Sequence, residues 1–354
     1  MSLLKIRSAA EQVADHLRED LLRGTWGGTM PGEDRLVAAL GVGRDTMKAA
    51  LRHLEEEGLL VGQGKGRRRM IVLPESGRQV NSLRLGILPG LPRDLRLDYI
   101  VDLQHLLTEN GHSVIFPDRA ISELGMNEKR IANLAKETQA DAWVVVGGSR
   151  DVLNWFAEQP APAFALFGRR HGLDIPGIGP DKAAAYRSVV RGLLRLGHRR
   201  IALLARPVRR LPEPGFPERA FLEELETAGI ETSTYNLPDW DGTIESLHHR
   251  LDSMFDLTPP TALIIDEPPL FFSVKDYLSR RGIVAPQHVS LVCTDGDPYF
   301  DSLRPSVAHI NWDNRPLVRR IVNWADGVAQ GKKDTRQTLT KTDFVEGGSI
   351  GPAP

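Results

Sequence analysis

The chain has 354 residues, of which 41% are hydrophobic and 26% charged, so it can form two or three domains with substantial cores. The net charge of -1 leaves room for a local basic patch. Because there is no run of about 18 apolar residues and no signal-peptide pattern, we expect neither a transmembrane helix nor secretion. The single cysteine, Cys293, excludes an internal disulfide, and together these features predict a cytoplasmic protein.

The first 73 residues are predicted to form a small domain of three helices and a hairpin. Apolar residues recur at helical spacing in residues 8–24, in residues 33–40 and from Arg44 onward, which predicts three helices. After Gly58 the pattern changes, and residues 59–61 and 70–72 are typical of two short strands. The glycines between these strands permit a tight hairpin. This order of elements is that of a winged helix-turn-helix.

Cationic side chains collect on the third helix and in the hairpin. Arg44, Lys48 and Arg52 are spaced four apart, so they form a stripe along one helix face. The hairpin cations are Lys65, Arg67, Arg68 and Arg69. A solvated surface is the alternative explanation, but like charges at this density repel one another unless an anion is bound. The grouping therefore favours DNA, with the helix in a major groove and the hairpin along the backbone or minor groove.

Short motifs are spread between Gln12 and Arg67. They are Arg23-Gly24, Met30-Pro31-Gly32-Glu33, Leu40-Gly41-Val42, Glu57-Gly58-Leu59 and Gly64-Lys65-Gly66. In combination they resemble the GntR family of bacterial transcription regulators, which implies double-stranded DNA as the partner. Two residues depart from the family pattern: Gly43 replaces a serine, and Asp34 replaces an arginine. We predict that the DNA-binding residues are Arg35, Arg44, Asp45, Thr46, Lys48, Arg52, Gly64, Lys65, Arg67 and Arg68.

A polar segment without periodicity, residues 74–82, is predicted to be a linker. Residues 83–354 then alternate short apolar runs with amphipathic helices. The predicted strands are 83–88, 113–116, 142–146, 163–167, 201–205, 263–265 and 289–293. The predicted helices are 97–110, 128–137, 151–158, 182–196, 217–228, 244–255 and 270–281. This alternation predicts parallel sheets covered by helices, and the length favours two lobes with a ligand cleft at the carboxyl ends of the strands.

Four stretches of this region carry a second resemblance. They are residues 179–184 together with 196–202, residues 221–230, residues 260–267 and residues 282–295. They are similar to the effector domain of the lactose-repressor (LacI) family, which has the fold of periplasmic sugar-binding proteins. The resemblance implies two Rossmann-like lobes, a homodimer and a small, sugar-like effector. A GntR-type DNA reader joined to such a domain resembles the arabinose-responsive repressors.

The same resemblance implies where a ligand would bind. Asp295 matches an acid that accepts hydrogen bonds from ligand hydroxyls, and Trp312 takes a ligand-side position where an indole could stack on a sugar. Pro217 departs from the family because it stands where an arginine usually grips the ligand. We predict that the ligand-binding residues are Gly90, Arg169, Arg206, Asp266, Glu267, Asp295 and Trp312. Capping, core packing and surface ion pairs are the alternative roles for these side chains.

A different ligand class remains open, because the arginine-rich segments could suit an acidic or phosphorylated molecule. These arginines are Arg169, Arg170, Arg206, Arg209 and Arg210. We expect no cofactor, metal or catalytic residue. The G-x-S-x-G match at residues 347–351 is too close to the last residue for a nucleophile elbow, which needs a following helix.

These features predict a sequence-specific transcription regulator, a repressor, whose operator affinity is controlled by a small ligand. The alternative is an α/β ligand-binding or hydrolytic protein whose N-terminal module does not bind DNA.

Overall fold

The computed structural model describes residues 8–22, 26, 29–64, 68–72 and 82–354. The N-terminal module contains three helices, α1 (Ala9–Leu22), α2 (Glu33–Leu40) and α3 (Arg44–Glu56). Strands β1 (Leu60–Val61) and β2 (Met70–Ile71) pair antiparallel and form the hairpin. The predicted linker lies outside the described residues except for Ser82, so the proposed domain boundaries stay predictions.

Helix α3 is held by its apolar face. Met47, Ala50, Leu51 and Leu54 are fully buried, as their helical spacing predicts, and they pack with residues of α1 and α2. Burial of side chains of this size contributes about 1.5–3 kcal/mol each for the larger ones. The opposite face of α3 stays exposed because it carries the charged residues.

The first lobe of the remaining chain is built on a six-stranded parallel sheet. Its strands are β3 (Arg84–Leu88), β4 (Ser113–Ile115), β5 (Ala142–Val146), β6 (Ala163–Leu166), β7 (Gly177–Pro180) and β12 (Gln337–Thr340), in the spatial order β4-β3-β5-β6-β7-β12. Helices α4 (Asp98–Glu109) and α12 (Arg315–Ala329) cover one face, and α5 (Glu128–Thr138) and α6 (Arg150–Ala157) cover the other.

The second lobe is built on a five-stranded sheet. Its strands are β8 (Ile201–Leu204), β9 (Ala262–Ile265), β10 (Ser290–Cys293), β11 (Ala308–Trp312) and β13 (Thr342–Val345), in the order β13-β11-β10-β9-β8, and only β13 runs antiparallel among these described strands. Helices α7 (Lys182–Arg195) and α9 (Phe216–Thr227) cover one face, and α10 (Ile244–Leu257) and α11 (Pro268–Arg280) cover the other. A single-turn helix, α8 (Pro207–Arg210), follows β8.

The chain passes between the lobes three times, after β7, after β11 and after β12. Two of these crossings are joined, because the Asp181 amide donates to the Thr340 carbonyl at 2.9 Å and the Thr342 hydroxyl donates to the Asp181 carbonyl at 3.0 Å. The carboxyl ends of the central parallel strands of both sheets therefore border one cleft beside this three-stranded hinge.

The predicted fold class is confirmed: a helix-turn-helix module precedes an α/β region with two largely parallel sheets. Sequence periodicity missed four of the described strands, the long helix α12 and the single-turn helix α8. Strand β7 contains two glycines and a proline, β12 and β13 are edge strands with polar residues, β11 includes His309 and Asn311, and α12 begins with Arg315-Pro316. Within the described ranges, no helix has the length and apolar character needed to cross a bilayer.

Candidate functional site

The exposed face of α3 carries the predicted DNA-binding cations. The Arg44 side chain is 70% exposed, and its Nη2 atom lies 3.0 Å from Oδ1 of Asp34 at the start of α2. Lys48 lies one turn further along, with its Nζ atom 4.0 Å from Oε1 of Glu33. Arg52 is also exposed. The three cations are thus accessible on one face, and two of them contact acids from α2.

The other predicted DNA-binding residues surround this face or lie in the hairpin. Arg35, Asp45 and Arg68 are exposed, and Thr46 is half-buried. Gly64 has φ +97°, a backbone conformation that favours glycine at the hairpin tip. Lys65 and Arg67 lie outside the described residues, so their predicted role stays untested.

Arg69, the last cation of the basic run, contacts other parts of the module. Its Nε atom donates to Oε1 of Glu55 on α3 at 2.6 Å. The Met30 amide donates to the Arg69 carbonyl at 2.9 Å. These contacts tie the hairpin to the helices and so fix the direction in which the hairpin leaves the module.

Asp266 is a deeply buried acid of the interlobe cleft. It follows β9 and is 1% exposed; Arg206 donates from Nε to its Oδ2 atom at 3.1 Å, and Nε of Arg209 lies 3.8 Å away. Burial opposes ionisation, but the Arg209 and Arg206 guanidinium groups hold the pKa of Asp266 below its usual range. Asp266 is therefore an anion that keeps both guanidinium groups in the cleft.

Glu267 links the two lobes. Its carboxylate accepts hydrogen bonds from Arg206 in the second lobe and from Arg93 in the first lobe, the latter at 2.6 Å from Arg93 Nη2. Arg93 lies in a 3₁₀ turn at Pro92–Arg96. The backbone of Glu267 has φ +59°, a conformation that non-glycine residues rarely adopt and that often occurs at functional sites.

Asp295 follows β10 and holds two groups from other elements. Its Oδ2 atom accepts from Lys182 Nζ at 2.6 Å, and its Oδ1 atom accepts from Trp312 Nε1 at 3.0 Å. The Thr294 hydroxyl lies 3.2 Å from Oδ2 of Asp295 and 3.3 Å from Oδ1 of Asp266. This hydroxyl connects the two acids in one polar network.

Three aromatic rings border this network. The ring centroids of Tyr99, Phe167 and Trp312 lie 5.7–6.1 Å apart, in tilted or edge-to-face arrangements. Phe167 follows β6 and has φ +64°, so residues with left-handed backbone conformations occur at strand ends in both lobes. Trp312 is half-buried against the first lobe while its indole N–H contacts Asp295 in the second lobe.

Arg169 and Gly90 complete the predicted ligand set, but their observed contacts are internal. Arg169 of the first lobe donates from Nη2 to the carbonyl oxygens of Val208, Arg209 and Glu213 at 3.4, 2.9 and 2.7 Å. It thus crosses the cleft and caps the end of α8. Gly90 has no room for a side chain, because a Cβ atom there would lie 2.8 Å from the Val146 carbonyl oxygen.

The five arginines considered for an acidic ligand do not converge. Arg210 is buried and donates to Asp239 and to the Ala205 and Trp240 carbonyls. Arg170 packs beside β7, donates to the Thr338 carbonyl at 3.4 Å, and burial lowers its pKa to about 10. These two residues stabilise the lobes and leave the cleft to Arg169, Arg206 and Arg209.

Sequence reasoning missed several groups that the fold brings into the cleft. They are Arg93, Lys182, Glu218 and Thr294, whereas Arg209 had been considered for an acidic ligand. Lys182 and Thr294 are sequence neighbours of the motif residues Asp181 and Asp295, so the motifs could have indicated that they lie at the cleft. Arg93 and Glu218 had none, because their positions depend on how separate segments approach one another.

The serine of the G-x-S-x-G match is engaged in hydrogen bonds to backbone groups of two strands. The Ser349 hydroxyl donates to the Leu291 carbonyl at 2.6 Å and accepts from the Ala308 amide at 2.9 Å. Cys293 is buried in β10, and burial raises the pKa of its thiol.

Comparisons with known proteins identify two regions. Residues 9–68 match the model of the bacterial regulatory proteins of the gntR family, and residues 190–350 match the periplasmic binding protein-like domain. A search of curated protein sequences found no significant match.

Similar solved structures include a transcriptional regulator CelR–cellobiose complex, with 18% identity, a TM-score of 0.63, and coverage of 90% of this chain and 100% of that chain. A dimeric lac repressor with a C-terminal deletion has 18% identity, a TM-score of 0.62, and coverage of 77% and 99%. A periplasmic binding protein/LacI transcriptional regulator from Alkaliphilus metalliredigens, complexed with D-xylulofuranose, has 16% identity, a TM-score of 0.62, and coverage of 75% and 98%.

At these identities the solved structures establish the fold, and the two sequence matches establish the domains. The chain joins a gntR-family regulatory domain to a periplasmic-binding-protein-like domain.

Proposed function

We propose that this protein is a cytoplasmic, homodimeric transcription repressor whose affinity for a double-stranded DNA operator is controlled by a small, sugar-like ligand. The match of residues 9–68 to a family of bacterial regulatory proteins carries the proposal. The cleft between two periplasmic-binding-protein-like lobes supports the ligand control.

The DNA contact is proposed for the exposed face of α3 and the hairpin. Among the described residues, Arg44 and Lys48 are held by ion pairs with Asp34 and with the half-buried Glu33. Surface ion pairs contribute about 0–1 kcal/mol and exchange readily for phosphate or base contacts. Arg44 is suited to a bidentate contact with a guanine, while hairpin cations such as Arg68 contact phosphates.

The ligand contact is proposed for the cleft. Carboxylates such as Asp266 and Asp295 accept hydroxyl hydrogen bonds, guanidinium groups such as Arg206 donate to hydroxyl oxygens, and aromatic rings such as Trp312 stack on sugar faces. The similar structures of a regulator in complex with cellobiose and of another in complex with D-xylulofuranose support a sugar-like ligand.

The homodimer is proposed to form through α4. Val101 and Leu106 on this helix are 52% and 40% exposed, and exposed apolar side chains on one helix favour an interface with a second copy. We expect Val101→Lys to increase the monomer fraction in sedimentation velocity, and an unchanged dimer would remove α4 from the interface.

The operator contact is tested by selecting DNA sequences from a random duplex pool with the full-length protein. We expect an inverted repeat, because a twofold dimer presents two identical DNA readers. The double variant Arg44→Ala/Lys48→Ala should bind the selected duplex at least about 100-fold more weakly, since each lost contact costs about 1–3 kcal/mol.

The matched control is Lys129→Ala/Arg130→Ala, which removes two exposed cations from α5 in the first lobe. It should bind the duplex like the unmodified protein. Equal losses in both variants, or the absence of any selected sequence, would contradict the proposal.

A further inference from the structure

Glu218 is a buried carboxylate that accepts no hydrogen bond from any other residue the structure describes. It lies in the first turn of α9, is 1% exposed, and neither of its oxygens accepts a hydrogen bond from a described residue. A polar group buried in this way normally has a partner, because its separation from water is otherwise uncompensated. Its neighbour Pro217 occupies the position where the sequence lacks an expected ligand-gripping arginine.

The surroundings of Glu218 place it at the cleft. The charged groups that act on it are Arg209, Asp266 and Lys182, which belong to the polar network described above. Glu218 also acts on Arg169 from the first lobe, since its negative charge opposes the lowering of the Arg169 pKa by burial. Burial raises the pKa of Glu218, while Arg209 opposes this effect.

Gly215 leaves the space that this carboxylate occupies. A Cβ atom at position 215 would collide with Oε2 of Glu218 and would lie 3.2 Å from the Arg209 carbonyl oxygen. The backbone of Gly215 has φ -65°, so glycine is not required there for its conformation. The glycine is instead explained by the close approach of Glu218.

The other charges of the cleft already have partners. Arg93 and Arg206 contact Glu267, and Lys182 contacts Asp295. Arg169 donates to three carbonyl oxygens, and Arg209 forms an ion pair with Asp266 at 3.8 Å. An anionic ligand would therefore find Glu218 beside it and no unengaged cation among these groups. A ligand with hydroxyl groups would supply the donors that Glu218 lacks.

We propose that Glu218 is a ligand-contacting residue that accepts hydrogen bonds from the hydroxyl groups of an uncharged sugar and excludes sugars that carry a carboxylate or phosphate. This inference rests on the proposed function of the cleft and names the class of ligand that enters it. It assigns the position after Pro217 a hydrogen-bond acceptor in place of the missing cationic donor.

The first test is calorimetric titration of the full-length protein with two sets of sugars. The uncharged set is D-glucose, D-xylose and cellobiose, and the anionic set is D-glucuronate and glucose 6-phosphate. We expect at least one uncharged sugar to bind and both anionic sugars to bind at least about tenfold more weakly than it does. Equal or tighter binding of an anionic sugar, or no binding of any uncharged sugar, would overturn the inference.

The second test compares Glu218→Gln with Glu224→Gln. Glu224 is a buried carboxylate on the same helix, but it is paired with Arg191 away from the cleft. Glu218→Gln should weaken binding of the uncharged sugar about 10- to 100-fold, because a hydrogen bond to a charged acceptor is lost, whereas Glu224→Gln should leave it unchanged. Unchanged affinity in folded Glu218→Gln would overturn the inference.

Gly215→Ala is a second route to the same result if Glu218→Gln does not fold. It keeps the carboxylate but displaces it, so sugar binding should again weaken, and unchanged binding would count against a contact at Glu218. Operator binding by each variant without added sugar separates the two proposals. Retained operator binding by variants whose sugar affinity and discrimination equal those of the unmodified protein would reject the ligand inference and leave the DNA-binding function in place.

Discussion

Asp34 should limit the affinity of this protein for DNA. The acid stands where the GntR pattern has an arginine, is 82% exposed, and lies 3.0 Å from the Arg44 guanidinium on α3. Arg44 must leave this pair before it can contact a base or phosphate. Asp34→Ala removes the competing acid and with it a negative charge beside the proposed DNA-binding face of α3.

The magnitude follows from the exposure of both partners. An ion pair between solvent-exposed side chains contributes about 0.2–1 kcal/mol, and 1.4 kcal/mol corresponds to a tenfold change in affinity. Release of Arg44 should therefore strengthen operator binding by a factor of about 1.5–5. The helix should lose a few tenths of a kcal/mol in stability, because Asp34 lies in the first turn of α2 and favours its N-terminal dipole.

The assay is fluorescence anisotropy with the selected duplex at about 0.15 M salt. Glu56→Ala is the matched control, since it removes the same charge from the far end of α3, about 18 Å from Arg44 along the helix axis and beyond the screening length. Equal effects of the two variants would indicate a general charge effect. Weaker binding by Asp34→Ala would refute the idea that this acid competes with DNA.

Three further changes test the packing behind the two sites. Gly43→Ser should raise the unfolding free energy of the N-terminal module by about 0.5–1 kcal/mol in urea melts. The reason is that position 43 is extended and has no side-chain cap, so a serine hydroxyl can cap α3 there. A lower unfolding free energy than that of the unmodified protein would show that serine does not cap α3. Lys182→Met should lower the unfolding free energy by about 3 kcal/mol, because the half-buried Asp295 carboxylate loses its cation. Adding Asp295→Leu should recover most of the loss, and no recovery would assign the effect to packing. His198 is fully buried between Thr261 and the Gly351 carbonyl, and burial lowers its pKa. The unfolded chain therefore takes up a proton on this histidine at a higher pH than the folded protein does. The unfolding free energy should consequently fall as the pH drops below about 6.5. Urea melts between about pH 7.5 and 5 should show a smaller decline for His198→Gln, and equal declines would contradict this assignment.

The N-terminal module was predictable because its signals are local. The buried positions of α3, from Met47 to Leu54, follow from helical spacing alone, and α2 occupies the predicted range Glu33–Leu40. The pairing of Arg44 with Asp34 was not predictable, because it depends on the angle between two helices. The same distinction explains why α12, which begins with Arg315-Pro316 and packs on the first lobe after the chain has crossed from the second, was missed.

The cleft shows the limit of reading ligand contacts from a family pattern. Asp266, Glu267 and Asp295 were predicted as acids at strand ends, and the structure places them in one connected network. The partners of these acids, among them Arg93 and Lys182, come from segments far away in the sequence. The family pattern therefore predicted the positions of the acids but not which cations neutralise them. An acid that a family pattern predicts to contact the ligand can equally stabilise the protein through ion pairs within or between the lobes.

This double role gives a physical route from ligand to DNA. Glu267 joins Arg93 of the first lobe to Arg206 of the second, and Arg169 joins the first lobe to the turn after β8. A sugar hydroxyl that bonds to Glu267 competes with a contact between the lobes, so its binding free energy depends on how the lobes are arranged. By linkage, such a ligand must shift the population of lobe arrangements, and the size of the shift is bounded by its difference in affinity for them. The three hinge segments near Asp181, Trp312 and Thr340 are the positions where that shift would be absorbed.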